Sequence, residues 1–177
     1  ASTDGSGDIA TSYGERVRYF RSDTNVPLGS ARKLAYEQTR GRYIAILDAD
    51  DVWLPQKLER QLELFRSNPE VGLAYCDAIY FDDSGDRWRL FKLLKPHRGH
   101  IFGHLLVRNY IFSSTTMFSR AMAESLDCVF DDGYSRVQDY DLDLRMAYHY
   151  PIDFVDEPLA KWRINTEVDK PWKKSLV

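Results

Sequence analysis

Apolar runs of strand length alternate along this chain with segments whose apolar residues recur at helical spacing. Residues 42–47 and 71–81 are continuous apolar runs, which are typical of strands buried on both faces. Between them, Leu58, Leu62 and Phe65 recur at i, i+4 and i+7. This spacing predicts a helix that turns these three side chains towards the core.

The same pattern predicts the remaining elements. Helices are expected over residues 6–13, 30–40, 99–108, 120–126 and 137–149, and extended segments over residues 17–21, 87–94, 110–119 and 152–164. Helices that alternate with apolar strands predict an α/β domain, with a mostly parallel sheet flanked by helices and an antiparallel addition. In such a sheet the functional site lies beyond the carboxyl ends of the strands.

Composition restricts the class of protein. The chain has 177 residues, 44% of them hydrophobic, and a net charge of -3, which fits one packed domain and gives no basic field for nucleic acid. No apolar run approaches membrane-spanning length, and no signal-peptide pattern opens the chain, so a cytoplasmic location is expected. Cys76 and Cys128 are predicted to be reduced thiols in the core.

An acidic cluster directly follows the apolar run at residues 42–47. Because residues i and i+2 point the same way along an extended chain, Asp48 and Asp50 are expected to face one point, with Asp51 turned aside. Two carboxylates of this kind suit Mg²⁺ or Mn²⁺, which takes further ligands from a substrate phosphate. The alternative is structural: a solvated turn, or Asp51 as the cap of the helix that begins near Pro55.

A second acidic group lies on the helix predicted over residues 137–149. Asp139 and Asp143 are four apart and share a helix face, while Asp141 and Arg145 have the spacing of a surface ion pair. The spacing alone favours a solvated acidic face. In the functional interpretation Asp139 is a general base that takes a proton from an attacking hydroxyl group. A metal-held diphosphate and a separate base together describe displacement of a nucleotide from a sugar.

Four stretches of the sequence resemble family-two inverting glycosyltransferases of the GT-A fold. They are "ASTDGSGDIA", "GSARKLAYEQTRGRYIAILDADDVWLPQKLERQLELF", "FDDGYSRVQDYDLDLRMA" and "PLAKWRIN". The resemblance covers residues 1–167 and makes residues 168–177 a C-terminal tail. The strand that runs into Asp-x-Asp, followed by Asp, Trp-x-Pro and a Lys-Leu helix, is its most specific part.

The resemblance implies roles for individual residues. Asp50 matches the main metal ligand, aided by Asp48, and Asp139 matches the catalytic base. The positions matched to the nucleotide-sugar donor are Asp48, Arg163, Ser114 and Thr115. Arg163 could equally pair with an acid in the sheet, and the two hydroxyl residues could equally be a polar strand end.

These roles imply transfer of a sugar from a nucleoside-diphosphate sugar to a hydroxyl group of a carbohydrate or lipid-linked acceptor. Inversion and dependence on Mn²⁺ or Mg²⁺ are expected. The reaction would belong to polysaccharide or glycoconjugate biosynthesis. A Gln-x-x-Arg-Trp motif marks the processive members and is absent here, so transfer of one sugar per encounter is expected. The basic run "KPWKKSLV" could touch the inner face of an anionic membrane.

Three departures from the family pattern qualify these expectations. Gln138 stands where the family usually has Glu, and Asn165 stands where His is common. The chain also begins after the family's first nucleotide-binding acids, so a truncated domain without the first βαβ unit is expected. Such a domain would be inactive alone and would expose a sheet edge through which two copies could form a homodimer.

Two other functions fit the same residues. A nucleotidyltransferase could use the same acids to hold a metal and a nucleoside triphosphate. A non-catalytic module could bind partners through aromatic anchors, for which the candidates are Tyr110, Phe112, Trp162 and Trp172, although core packing also explains these residues.

Three histidines lie close together in the sequence, namely His97, His100 and His104. His100 and His104 are four apart on a predicted helix, which is a spacing that can bind a metal. No Glu lies between them, and we interpret all three as surface or acceptor-cleft residues.

Overall fold

The structure is a computed structural model that describes residues 1–134 and 136–164. The chain divides into two compact units: Ala1–Arg40 with Cys128–Gln138, and Gly41–Asp127 with Asp139–Val177. The predictions made for Asn165, Trp172 and the tail at 168–177 lie outside the described residues.

The first unit is built on two helices, α1 (Ser6–Ser12) and α2 (Leu28–Glu37), as the sequence predicts. The strand predicted at residues 17–21 is wrong, because this exposed segment pairs with no other strand. Gly29 is required in α2, since a Cβ there would lie 2.5 Å from the carbonyl oxygen of Asp131.

The second unit contains the six-stranded sheet, whose main path has the order β1-β5-β3-β6-β2, with β4 paired to β3. The strands are β1 (Tyr43–Ala45), β2 (Val52–Trp53), β3 (Leu73–Asp82), β4 (Gly85–Arg89), β5 (Met117–Ser119) and β6 (Ile152–Arg163). The helices that follow α2 are α3 (Lys57–Ser67), α4 (Leu90–Leu93), α5 (Phe102–Val107), α6 (Arg120–Glu124) and α7 (Gln138–His149).

The expected mostly parallel arrangement of this sheet is wrong for the described residues. Only β3 and β6 pair in parallel, while the pairs β1/β5, β5/β3, β3/β4 and β6/β2 are antiparallel. The reason is that β5 inserts between β1 and β3, so these two strands share a direction without pairing. The expected strand 42–47 is therefore an edge strand of the described sheet.

Helix α3 buries a face different from the one predicted. Phe65 is in the core, but Leu58 is 42% exposed, while Lys57 and Gln61 are fully buried. Residues 57, 61 and 65 are four apart, so they also share one helix face. Lys57 and Gln61 can be buried on that face because each forms hydrogen bonds there.

The two cysteines differ in environment. Cys76 lies in the core on β3, as predicted, and its burial raises the pKa of the thiol to about 12. Cys128 is exposed, so the prediction of a core thiol is wrong for this residue.

In the described ranges, no helix has the length and apolar character needed to cross a bilayer.

Candidate active site

The acids after β1 lie on a tight turn rather than on an extended strand. The backbone N–H of Asp51 donates to the carbonyl oxygen of Asp48 at 3.1 Å, which closes a β-turn with Asp50 at its third position. The expected alternation of Asp48 and Asp50 along an extended chain is therefore wrong. Asp48 is half-buried, Asp50 is exposed and Asp51 is buried.

Asp51 is the buried acid of the turn and bonds to the end of β6. Its carboxylate accepts the backbone N–H of Arg163 at 2.9 Å and does not cap α3, which begins after Gln56. Burial raises the pKa of Asp51 to about 6, although hydrogen bonds from Ser114 and Arg163 oppose the shift. Asp51 thus joins the acid turn to the end of β6.

Asp50 carries the accessible carboxylate of the turn. Within residues 1–134 and 136–164 this carboxylate makes no hydrogen bond or ion pair. The Arg163 guanidinium lies beside it, but it donates to the carbonyl oxygen of Asp50 at 3.3 Å and pairs with Asp83 at 2.8 Å. The carboxylate oxygens of Asp50 are therefore available to an external ligand.

The donor set at the turn fits a hard divalent cation. Asp50 offers an unengaged carboxylate and Asp48 a second one two residues away. In the described part of the chain, no three His, Cys, Asp or Glu side chains converge on a metal position. Two carboxylates suit an ion such as Mn²⁺ or Mg²⁺, which keeps water and takes phosphate oxygens as its other ligands.

Two consecutive serines link the acid turn to α7. Ser114 is 2% exposed, and its Oγ accepts the backbone N–H of Asp48 at 3.0 Å. The neighbouring Ser113 donates its hydroxyl hydrogen to Oδ2 of Asp139. The structure thus brings together the predicted residues Asp48, Asp139 and Ser114 through contacts that sequence spacing alone does not predict.

The rest of this segment holds it to the scaffold. The carbonyl oxygen of Ser114 accepts the indole N–H of Trp53 at 2.8 Å. Thr115 is 1% exposed, its hydroxyl donates to the carbonyl oxygen of Phe112 at 2.7 Å, and its own carbonyl accepts from Gln61 at 2.8 Å. Both polar groups of Thr115 are therefore used inside the protein.

Lys57 is a buried cation beneath the site that the sequence analysis missed. Its Nζ donates to Oε1 of Gln61 at 2.7 Å and to the carbonyl oxygen of Thr116 at 3.2 Å, and it lies 4.5 Å from the centre of the Trp53 ring. Burial lowers its pKa to about 8. The i, i+4 spacing of Lys57 and Gln61 on the Phe65 face is the signal that could have revealed it.

The acids on α7 have different environments. Asp141 and Arg145 form the predicted ion pair at 2.6 Å. Asp143 is 3% exposed, so it does not belong to a solvated acidic face. Asp139 is half-buried beside Ser113.

The predicted aromatic anchors pack against one another. The rings of Phe112 and Trp162 lie 4.2 Å apart, Trp162 lies 5.0 Å from Tyr80, and Tyr110 is 4% exposed. For these residues the contacts favour core packing over a surface for partners.

The comparison with solved structures shows the fold. TarS of Staphylococcus aureus, residues 1–349, has a similar fold, with a TM-score of 0.70 and 18% identity, over 92% of this chain and 49% of that chain. The fold is therefore the GT-A fold, as the sequence predicts.

The chain belongs to glycosyl transferase family 2, which matches residues 1–127. It is 30% identical over 151 residues to the uncharacterized glycosyltransferase MJ1057 of Methanocaldococcus jannaschii, over 85% of this chain and 51% of that protein. It is also 27% identical over 177 residues to the uncharacterized glycosyltransferase RT0329 of Rickettsia typhi, over 92% of this chain and 53% of that protein.

A shorter match involves TuaG of Bacillus subtilis, which is named as a glycosyltransferase of teichuronic acid biosynthesis. The two chains are 45% identical over 65 residues, or 35% of this chain and 26% of TuaG. The chain spans about half the length of MJ1057 and RT0329. Membership of the family confirms the resemblance and favours glycosyl transfer over the nucleotidyltransferase alternative.

Proposed function

We propose that the protein transfers a sugar from a nucleoside-diphosphate sugar to a hydroxyl acceptor, with inversion and one sugar per encounter. The observation that supports this most is the pair of consecutive serines: Ser114 bonds to Asp48 of the acid turn, and Ser113 bonds to Asp139. The proposed site for the leaving diphosphate and the proposed base would thus both be positioned by one short, buried segment.

The acid turn would bind the donor. Asp50, with Asp48, would hold Mn²⁺ or Mg²⁺, which when bound would neutralise negative charge on the departing diphosphate. Arg163 places a partly exposed guanidinium beside the same turn, where it would add positive charge. Ser114 would position the turn through the backbone of Asp48.

Asp139 would act as the base. The acceptor oxygen would form a bond to the anomeric carbon from the side opposite the diphosphate, while the bond from that carbon to the phosphate oxygen breaks. The hydroxyl proton would pass to the carboxylate of Asp139, whose Oδ2 is held by Ser113. One displacement of this kind inverts the configuration and needs no covalent intermediate.

The acceptor in this proposal is a carbohydrate or a lipid-linked acceptor. The name of TuaG supports polysaccharide or glycoconjugate biosynthesis as the setting. A cytoplasmic location at the inner membrane face is part of the same proposal.

Melting temperatures measured with UDP, GDP, dTDP and CDP, each with and without Mn²⁺, test the donor site. Ligands that bind the folded state raise the melting temperature by mass action. We expect a Mn²⁺-dependent rise with one nucleotide, which is lost in Asp50→Asn and kept in Asp127→Asn. Asp127 is an exposed acid and serves as the matched control.

A melting temperature that stays unchanged with every nucleotide, with and without Mn²⁺, would show that the proposal is wrong. An equal loss of the rise in Asp127→Asn would show that the acid turn is not the site of the effect.

A further inference from the structure

Positive charge is concentrated in one stretch of this otherwise acidic chain. Residues 87–123 contain seven of the 24 Lys and Arg residues and none of the 27 Asp and Glu residues. The net charge of -3 therefore conceals a basic segment, and helices α4 and α5 lie within it. A segment of this kind attracts a partner that carries negative charge.

The two short helices expose basic and apolar side chains at one place on the sheet-containing unit. Leu93 at the end of α4 and Val107 at the end of α5 line one cavity of about 280 Å³, together with Lys95 and Arg108. Leu93 is 47% exposed, Val107 is 87% exposed, and both basic residues are exposed as well. We call these four residues the α4–α5 face.

The positive charge of the α4–α5 face is not neutralised by acids of the protein. Four other basic residues of the segment are paired with acids, namely Arg87, Arg89, Arg98 and Arg120. Within residues 1–134 and 136–164, neither Lys95 nor Arg108 forms an ion pair. The face therefore keeps two positive charges for an external partner.

Buried contacts beneath the α4–α5 face hold it in place. Leu90 on α4 and Leu105 on α5 are fully buried. The hydroxyl group of Tyr140 donates to the carbonyl oxygen of Leu105 at 2.5 Å, and the hydroxyl group of Tyr75 bonds to both the N–H and the carbonyl oxygen of His97. Because the backbone is already ordered, binding at this face costs little conformational entropy.

The combination of free positive charge and exposed apolar groups favours a membrane surface over other anionic partners. An anionic bilayer attracts Lys and Arg to its headgroups and accepts apolar side chains at the level of the acyl chains. A soluble polyanion, such as a nucleic acid or an acidic glycan, would leave Val107 in water. A second copy that presented the same face would bring like charges together.

We propose that the α4–α5 face docks the protein on an anionic lipid bilayer. Leu93 and Val107 insert among the acyl chains, while Lys95 and Arg108 contact the charged headgroups. Docking requires neither nucleotide nor metal, so its test has an outcome independent of the proposed sugar transfer.

Sedimentation with sucrose-loaded vesicles tests the docking. One set of vesicles is phosphatidylcholine alone, and the other contains about one quarter phosphatidylglycerol, which supplies negative surface charge. We expect binding to the anionic vesicles to be at least about tenfold tighter than to the neutral ones. Raising NaCl from about 0.1 M to about 0.5 M should release the protein, because salt screens the attraction.

Substitutions separate the contributions of charge and of apolar contact. Lys95→Gln and Arg108→Gln should each weaken binding to the anionic vesicles about fivefold. Val107→Asn should also weaken it about fivefold, through lost apolar burial. The matched controls are Arg66→Gln, at an exposed cation on α3, and Ile9→Asn, at an apolar residue on α1 that is 64% exposed. Both controls should bind as the wild type does.

Three results would overturn the proposal. The first is equal binding to neutral and anionic vesicles. The second is unchanged binding in folded Val107→Asn together with equally tight binding of dextran sulfate, which would make the face a site for soluble polyanions. The third is loss of binding in the double variant Lys173→Gln/Lys174→Gln with wild-type binding in Lys95→Gln, which would assign the membrane contact to the basic run at residues 170–177.

Discussion

Ser113 and Ser114 connect, through single hydrogen bonds, two acids that are far apart in sequence. Ser114 reaches the backbone of Asp48, and Ser113 reaches the carboxylate of Asp139. The geometry between the proposed metal ligands and the proposed base therefore depends on two small side chains. Both serines are buried, with 4% and 2% of their surface exposed.

Loss of the Ser114 hydroxyl should loosen the acid turn. Ser114→Ala removes the acceptor of the part-buried Asp48 N–H, so we expect a loss of about 1–2 kcal/mol in unfolding free energy. The midpoint of urea unfolding measures this loss. Ser119→Ala, which changes a half-buried serine on β5, should have less than half of this effect, and an equal loss in both variants would refute the specific role of Ser114.

Lys57 should give the protein a distinctive pH dependence. Its pKa is about 8 in the folded state and 10.5 in the unfolded state, so between these values the unfolded chain binds more protons and stability rises with pH. Relative to Lys57→Met, the unfolding free energy of the wild type should increase by about 3 kcal/mol from pH 8 to 10.5.

Unfolding curves at several pH values test this expectation. The exposed lysine variant Lys92→Met should run parallel to the wild type over this range. A constant difference between wild type and Lys57→Met would mean that Lys57 has an ordinary pKa in the folded protein.

At the scale of elements, α3 connects the core to the candidate site through polar groups. Gln61 donates to the carbonyl oxygens of Ala74 on β3 and Thr115 beside β5, at 3.2 and 2.8 Å. It thus bonds to two elements that a purely apolar helix face could only pack against. The hydrogen bonds fix the position of the segment that carries both serines.

On α3, replacing the polar residue Gln61 should therefore destabilise the protein more than replacing the apolar residue Leu58. Gln61→Ala removes the hydrogen bonds of this side chain to two carbonyl groups and to the Lys57 ammonium, and should cost about 2–4 kcal/mol of unfolding free energy. Leu58→Ala removes a side chain that is 42% exposed and should cost less than about 1 kcal/mol. Chemical unfolding of the two variants compares them directly, and a larger loss for Leu58→Ala would contradict the orientation of α3.

At the scale of the whole molecule, local pattern predicted most elements but not their neighbours. The long apolar run forms β3 and the acidic segment forms α7, as predicted. In both segments the periodicity of apolar residues agrees with the observed burial. Strand β2 and the insertion of β5 were missed, since strand order depends on pairings distant in sequence.

In the candidate site, too, local pattern predicted the residues but not their tertiary contacts. Its acids were found from their place after a strand, whereas the turn geometry, the contacts of Arg163 and the buried Lys57 depend on tertiary packing. Leu58 and Cys128 were misplaced because an apolar residue type does not by itself decide burial.

The edge position of β1 supports the predicted association of two copies, which we retain as a proposal. Leu47, just after β1, is 46% exposed, and an unpaired strand edge is a template for another chain. Light scattering after size exclusion should give a mass that rises towards a dimer with concentration, and Leu47→Lys should suppress the rise. Tyr148→Lys, at an exposed position on α7, should not, and a monomer at all concentrations would rule out the dimer.

The hydrogen bond from Arg163 to Asp51 affects when the acid turn can be completed during translation. It joins positions 112 residues apart, at the end of β6 and in the acid turn. A ribosome makes the acid turn early, but the strand that closes it emerges only after most of the sheet-containing unit has been translated. During that interval the carboxylate of Asp51 would lack its hydrogen bond from Arg163, and the proposed nucleotide binding should appear only when translation has passed β6.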